Sequence, residues 1–413
     1  MSSAQMTAVR FNWRRFLVVA GPGVVVMLAD TDAGSIITAA QSGAQWGYGL
    51  LALQILLMPM LYIVQELTVR LGMVTGKGHA QLIRDHFGPI WAWVSVSTLI
   101  VSCLGALLTE LSGLTGVGSL FGVPPTLTLA LTVTAMLLMV VTHTYLTVER
   151  IAIAVGAFEL VFLIVAWLAH PGFSEMAVGA VAIPLADPKY LYLVSANIGA
   201  VIMPWMIFFQ QSSIVERRLT TSDLASARVD TALGAVVTQL VMAAVLIAAA
   251  ATLGKAGGDQ KLDTVGEIAA AITPFLGQVG GKILFSLGMI GASLVAAIVV
   301  TLTAARTLAE VIGAKHSLQH EVRDAPWFYG AYALALLIAA VVVSSGADLV
   351  ALSVGVQVMN ALLLPIVLAF LFLLARKLPR PYRLEGVYAS ISAILIAMTV
   401  ILGVYSGVSG LRG

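Results

Sequence analysis

The chain has 413 residues, 60% hydrophobic and 10% charged, against about a quarter charged in a soluble domain, so too few polar groups remain to coat a water-facing surface. Its 22 basic and 20 acidic residues give a formal charge of +2 with no block suited to nucleic acid, and the single cysteine, Cys103, excludes an internal disulfide framework and any multi-cysteine metal cluster or thiolate relay. The apolar runs are continuous rather than alternating, which predicts membrane-crossing helices of about 20 residues and excludes an outer-membrane barrel. Eleven spans follow in chain order, near 16–38, 47–72, 89–118, 125–143, 150–169, 190–213, 229–253, 276–305, 327–344, 348–375 and 386–407. The first is too long for a cleavable signal and lacks a small-residue cleavage site.

Connections on one side of these spans carry 17 basic residues, among them Arg10, Arg14, Arg15 and Arg150. The other side carries five: Lys189, Lys255, Lys261, Lys282 and Arg412. The positive-inside rule makes the first side cytoplasmic, so the N-terminus is expected inside and the C-terminus outside a cell inner membrane. The chain divides into a cytoplasmic tail, 1–15, and a single membrane domain, 16–407, without a soluble module.

Polar groups in hydrocarbon need partners, so an intramembrane carboxylate or helix break points to a lined cavity. Span 1 carries Asp30-Thr31-Asp32-Ala33-Gly34-Ser35 halfway along its apolar run. Asp and Ser compete for backbone hydrogen bonds there and Gly loosens the chain, so the helix is expected to open, with Asp32 the better ligand and Asp30 in support. The ordinary alternative for such acids is helix capping. Span 6 carries Ala200-Val201-Ile202-Met203-Pro204-Trp205. Pro204 has no N–H and displaces the Ala200 carbonyl from the ladder, while Met203 offers a thioether suited to Mn or Fe rather than to Mg or Ca. A lone apolar methionine is more often packing; the adjacent proline favours a ligand. Glu110 and Glu159 are candidates for proton movement or support, whereas Gln239, Gln357 and Asn360 are polar groups able to bond between helices. The pair His316 and His320 lies in a polar loop and reads as a solvated face.

Two interrupted spans five apart predict an inverted pair, 16–169 and 190–375, with 386–407 appended, and a binding site between the breaks. No cationic partner for an anion is present, so the expected substrate is a divalent cation.

At these residues the sequence resembles the NRAMP divalent metal-ion transporters, which have a leucine-transporter-type fold. The likeness runs from Gly21-Pro22-Gly23 to span 11, and is strongest from Asp32-Ala33-Gly34-Ser35 through Gln41-Ser42-Gly43-Ala44 and Gly47-Tyr48-Gly49-Leu50 to Arg70-Leu71-Gly72-Met73-Val74-Thr75-Gly76-Lys77. The family usually has Asp-Pro-Gly-Asn in span 1, where Ala33 and Ser35 depart from it, and Met-Pro-His in span 6, where Trp205 replaces a histidine associated with proton movement. Asp32, Ser35, the Ala200 carbonyl, Met203 and Gln357 carry over as implied ligands, and Glu110 matches the Glu of a span 3 Asp-x-x-Glu pattern.

The expectation is therefore a monomeric secondary transporter, not an enzyme and without a cofactor, that imports manganese or iron, with magnesium next, by alternating access. Proton coupling is expected to be weak, because titratable groups of the family route are missing. The divergent NRAMP-related magnesium transporters resemble this pattern as well. An amino-acid or amine symporter of the same fold is the second reading, but the paired acids would repel a substrate carboxylate. An intramembrane aspartyl protease would need facing carboxylates, for which only Asp32 and Glu110 offer themselves.

Overall fold

The computed structural model describes residues 22–142, 154, 156–253, 261–273, 277–314, 321–346 and 348–412. The expected tail 1–15, the starts of spans 1 and 5, Arg150, Lys255, His316 and His320 lie outside the described residues. Helix is the only extended regular structure among them. In order, the helices are α1 Pro22–Asp30, α2 Ala33–Trp46, α3 Leu51–Thr75, α4 His79–Phe87, α5 Pro89–Leu120, α6 Pro125–Thr142, α7 Val161–Leu168 and α8 Phe173–Ala180. There follow α9 Pro188–Val201, α10 Pro204–Glu216, α11 Leu224–Leu253, α12 Val265–Ile272, α13 Gly277–Ile312, α14 Pro326–Ser344, α15 Leu349–Lys377 and α16 Gly386–Arg412.

Local sequence sets many of these limits. Pro188 opens α9 behind Asp187, whose carboxylate accepts the Lys189 amide at 2.8 Å, and Asp348 caps α15 by accepting the Ala351 amide at 2.9 Å. Gly76 closes α3 in the left-handed conformation, φ 62°, with its N–H on the Gly72 carbonyl.

Eight helical stretches among the described residues are long and apolar enough to cross a membrane, counting α9 and α10 as one. The other three of the eleven expected spans take different forms. In their described residues, span 1 is two short helices, span 4 is the 18-residue α6, and span 5 is a short helix whose continuation α8 turns aside by 107°.

The packing repeats between the halves of the chain. α5 and α13 lie against each other at the centre; α2 packs on α11 as α10 packs on α3; α7 packs on α11 as α15 packs on α3; α6 lies on α5 as α14 lies on α13. Between the two contacts of each pair, the equivalent helices stand five spans apart. Both broken spans are thereby held inside the bundle, and 11 of the 13 residues of α10 are buried.

Candidate metal site

The first break is made by its own residues. α1 stops at Asp30, Thr31 bends, and Asp32 takes extended backbone at φ −67°, ψ 173° as the N-cap of α2. Asp32 Oδ1 accepts the Ser35 amide at 2.6 Å. A carboxylate suits this place, because it satisfies an orphan N–H and meets the positive end of the helix dipole. Capping uses only one oxygen. Oδ2 is buried and has no hydrogen-bond partner among the described residues.

Glu110 of α5 fills the adjoining position. Its Oε2 accepts the Ala33 amide at 3.1 Å and its Oε1 accepts the Thr109 hydroxyl at 3.1 Å. A second carboxylate is thus fastened beside Asp32 by backbone and hydroxyl donors.

In span 6, α9 ends at Val201, Ile202 and Met203 are extended, and Pro204 starts α10. Residue 204 has no N–H to give the Ala200 carbonyl. That oxygen instead accepts the Ser35 hydroxyl at 2.9 Å, so a single hydrogen bond joins the two breaks. Met203 is buried beside them in sequence, and its sulfur accepts the Trp205 indole N–H at 3.1 Å.

Glycines bring the third wall close. A Cβ on Gly34 would strike Gln357 Nε2 and Thr109 Oγ1, and one on Gly199 would strike the Gln357 backbone carbonyl. α15 therefore lies directly against α2 and α9, and Gln357, with Glu110, is a polar neighbour of the Asp32 carboxylate. Gln357 Oε1 accepts the Asn360 amide at 3.0 Å, while Nε2 has no partner among the described residues.

The structure accordingly gathers Asp32, Ser35, Ala200, Gln357 and Glu110, and ties Met203 to Trp205. Glu159, in the turn before α7, receives the Thr31 hydroxyl on Oε2. Both oxygens of Asp30 are buried without a hydrogen-bond partner among the described residues. Asp30, Asp32, Glu110, Ser35, Met203 and Gln357 are 0% exposed. No group of three or more His, Cys, Asp or Glu side chains among the described residues is arranged to hold a metal, so any ion site here mixes carboxylate with hydroxyl, carbonyl, amide and thioether. No basic side chain among the described residues pairs with Asp30, Asp32, Glu110 or Glu159. Buried charges of one sign need neutralising, and cations or protons are what this chemistry admits.

Three features went unnoticed in the sequence. Ser102 on α5 donates to Asn360 Oδ1 at 2.7 Å, which extends the polar chain behind Gln357. Asp230 on α11 accepts the Gly23 amide at 2.8 Å and so caps α1 from another helix. Gln41 bonds both backbone groups of Leu262. Asp230 sits at the edge of an expected span, where an acid is unremarkable, and a glutamine bonding distant backbone has no local signature.

A family model described as natural resistance-associated macrophage protein-like matches residues 23–409. The divalent metal cation transporter MntH of Aeromonas hydrophila is 27% identical over 419 residues, covering 95% of this chain and 96% of that protein. MntH of Acidiphilium cryptum is 29% identical over 326 residues, 75% of this chain and 73% of its own length. Among solved structures, the manganese transporter of Eremococcus coleocola aligns with TM-score 0.78 at 20% identity, over 97% of this chain and 88% of that one. Mhp1, a nucleobase-cation-symport-1 family transporter, aligns with TM-score 0.61 at 14% identity over 95% and 91%. These two structural likenesses establish the fold.

Proposed function

The chain belongs to the natural resistance-associated macrophage protein-like (Nramp) family, and from that premise we propose that it carries divalent metal cations by alternating access around the two helix breaks. It is a multi-pass membrane transporter that imports divalent metal cations, not an enzyme, and the metal is its substrate. The observation that carries the site assignment is Asp32, held at the break as a helix cap by one oxygen and keeping the other buried and unpartnered.

In this reading Asp32 neutralises much of the ion's charge, Ser35 and the Ala200 carbonyl contribute oxygen from the two breaks, Met203 contributes sulfur, and Gln357 closes the set from α15. Hard oxygens alone would suit magnesium, whereas a thioether favours manganese or iron, which we place first. Glu110 supports the Asp32 carboxylate, and Glu159 and Asp30 form an acidic layer behind it. Trp205 cannot titrate where the family's histidine stands, which supports weak coupling to protons. Repeats at 16–169 and 190–375, residence in a cytoplasmic membrane with the N-terminus inside, and function as a monomer complete the proposal. An amino-acid symporter is disfavoured by the same crowd of carboxylates.

The test is manganese uptake by proteoliposomes containing Asp32→Ala. Removing one partner of a buried charge pair costs about 3–5 kcal/mol, so uptake at low ion concentration is expected to fall by about two to four orders of magnitude, with the protein still monodisperse and folded. Near-normal uptake would remove Asp32 from the site.

A further inference from the structure

Behind Gln357 lies a three-member polar chain that crosses from α15 to α5. Asn360 Nδ2 donates to Gln357 Oε1 at 3.0 Å, and Ser102 Oγ donates to Asn360 Oδ1 at 2.7 Å. All three side chains are 0% exposed. The helices that bear them are closely seated, since a Cβ on Gly105 of α5 would meet Met359 and Val356 of α15, just as Gly34 and Gly199 admit α15 on its other side. With backbone so tightly packed, the freedom left at this place is the orientation of the polar groups.

That orientation has a chemical consequence. Gln357 presents its amide nitrogen toward Gly34, next to Asp32. An amide nitrogen donates two hydrogens and has no lone pair for a metal; only the oxygen ligates. For Gln357 to serve a cation it must turn its amide over. Its nitrogen would then face Asn360 Nδ2, donor against donor, unless Asn360 turns as well. A reversed Asn360 offers Oδ1 to Gln357 and Nδ2 to Ser102 Oγ, which can accept once its own hydrogen points to a carbonyl one turn back on α5, as serine hydroxyls in helices do. In both polarities the three side chains stay bonded to one another, and the two differ in which end of Gln357 looks at the site.

We propose that Ser102 and Asn360 are positioning residues for metal binding: they form a reversible hydrogen-bond relay whose polarity turns over when Gln357 delivers its oxygen to the ion. The inference rests on Gln357 belonging to the proposed site. It requires no helix movement and no charged group, so the relay stabilises either Asp32 facing an N–H donor or a cation facing an oxygen.

The test uses manganese uptake by the purified full chain in proteoliposomes. Aspartate at 360 only accepts, so Asn360→Asp takes the Ser102 hydroxyl and the Gln357 nitrogen together and presets the Gln357 oxygen toward the site. One hydrogen bond's worth of preorganisation lowers KM by about fivefold with kcat little changed. Ser102→Ala takes one hydrogen bond from each polarity, so alone it moves KM by less than about twofold, and a fivefold change in either direction would overturn a relay bonded in both senses. In a Gln357→Leu background the Asn360→Asp effect vanishes, which separates the relay from a simple added charge. If Gln357→Leu alone leaves KM unchanged, the assignment of Gln357 to the site fails, and the relay with it. If Gln357→Leu raises KM but Asn360→Asp fails to lower it, or lowers it equally in the Gln357→Leu background, the relay alone is overturned.

Discussion

Met203 is where selectivity meets packing. Its sulfur accepts the Trp205 N–H at 3.1 Å, and a thioether retains a second lone pair after one such bond, so the indole fixes the rotamer without consuming the donor. Met203→Ala is expected to cost manganese about tenfold in apparent affinity relative to calcium or magnesium, measured by competition during uptake. Trp205→Phe keeps most of the volume and removes the N–H, so it should shift the same ratio in the same direction but by less. Unchanged competition in Met203→Ala would reduce that residue to core filling. At this scale both breaks of the candidate site were legible. Two acids around a threonine before a glycine, and a methionine before a proline, are local chemistry. What could not be read was the partner of each atom: that Ser35 would bond Ala200, 165 positions away, or that Glu110 would hold the Ala33 amide. Those contacts depend on tertiary placement.

Among the elements, the breaks in spans 1 and 6 were legible because proline, glycine and helix-competing side chains act within a turn, and the long spans because apolar composition is summed over many residues. The short helices α4, α8 and α12 were not, since eight or nine residues carry too weak a pattern to stand apart from a connection. α4 carries a buried imidazole. His79 begins it, fully buried, with Nδ1 3.0 Å from Gln211 Oε1 on α10, and Gln211 in turn donates to the Lys77 carbonyl at 2.8 Å. Burial pushes the His79 imidazole down from 6.5 to about 4. Because the folded value lies below the unfolded one, the native state binds this proton less readily, so its contribution is whole above pH 6.5 and is lost as pH falls through 6.5 toward 4. The loss is about 3 kcal/mol in total, of which about 2 kcal/mol has gone by pH 5. Thermal denaturation in detergent should show a wild-type Tm that falls more steeply between pH 7 and 5 than that of His79→Gln. Parallel curves would mean that α4 docking is insensitive to this proton.

For the molecule as a whole, the buried set at the breaks describes a closed centre: Asp32, Ser35, Met203 and Gln357 have no exposed surface. With the N-terminus inside, as proposed, α2 belongs to the half facing outward, and there closure has an identifiable clasp. Gln41 Nε2 donates to the Leu262 carbonyl at 2.7 Å, and Gln41 Oε1 accepts the Leu262 amide at 3.0 Å. One side chain of α2 thereby binds the segment that leads into α12, which itself packs on α2 and α11. Two such bonds contribute about 2 kcal/mol, so Gln41→Ala is expected to raise the population open to the outside by about thirtyfold. Thr38 is a fitting reporter, lying three residues beyond Ser35 on α2 and buried. The sole natural cysteine, Cys103, is buried in α5 and gives little background. Thr38→Cys should react slowly with a membrane-impermeant thiol reagent applied outside, and adding Gln41→Ala should accelerate that reaction in proportion to the opened population. The same rate in both proteins would take the outer closure away from Gln41, and faster reaction from the cytoplasmic face would reverse the orientation on which the transport cycle is built.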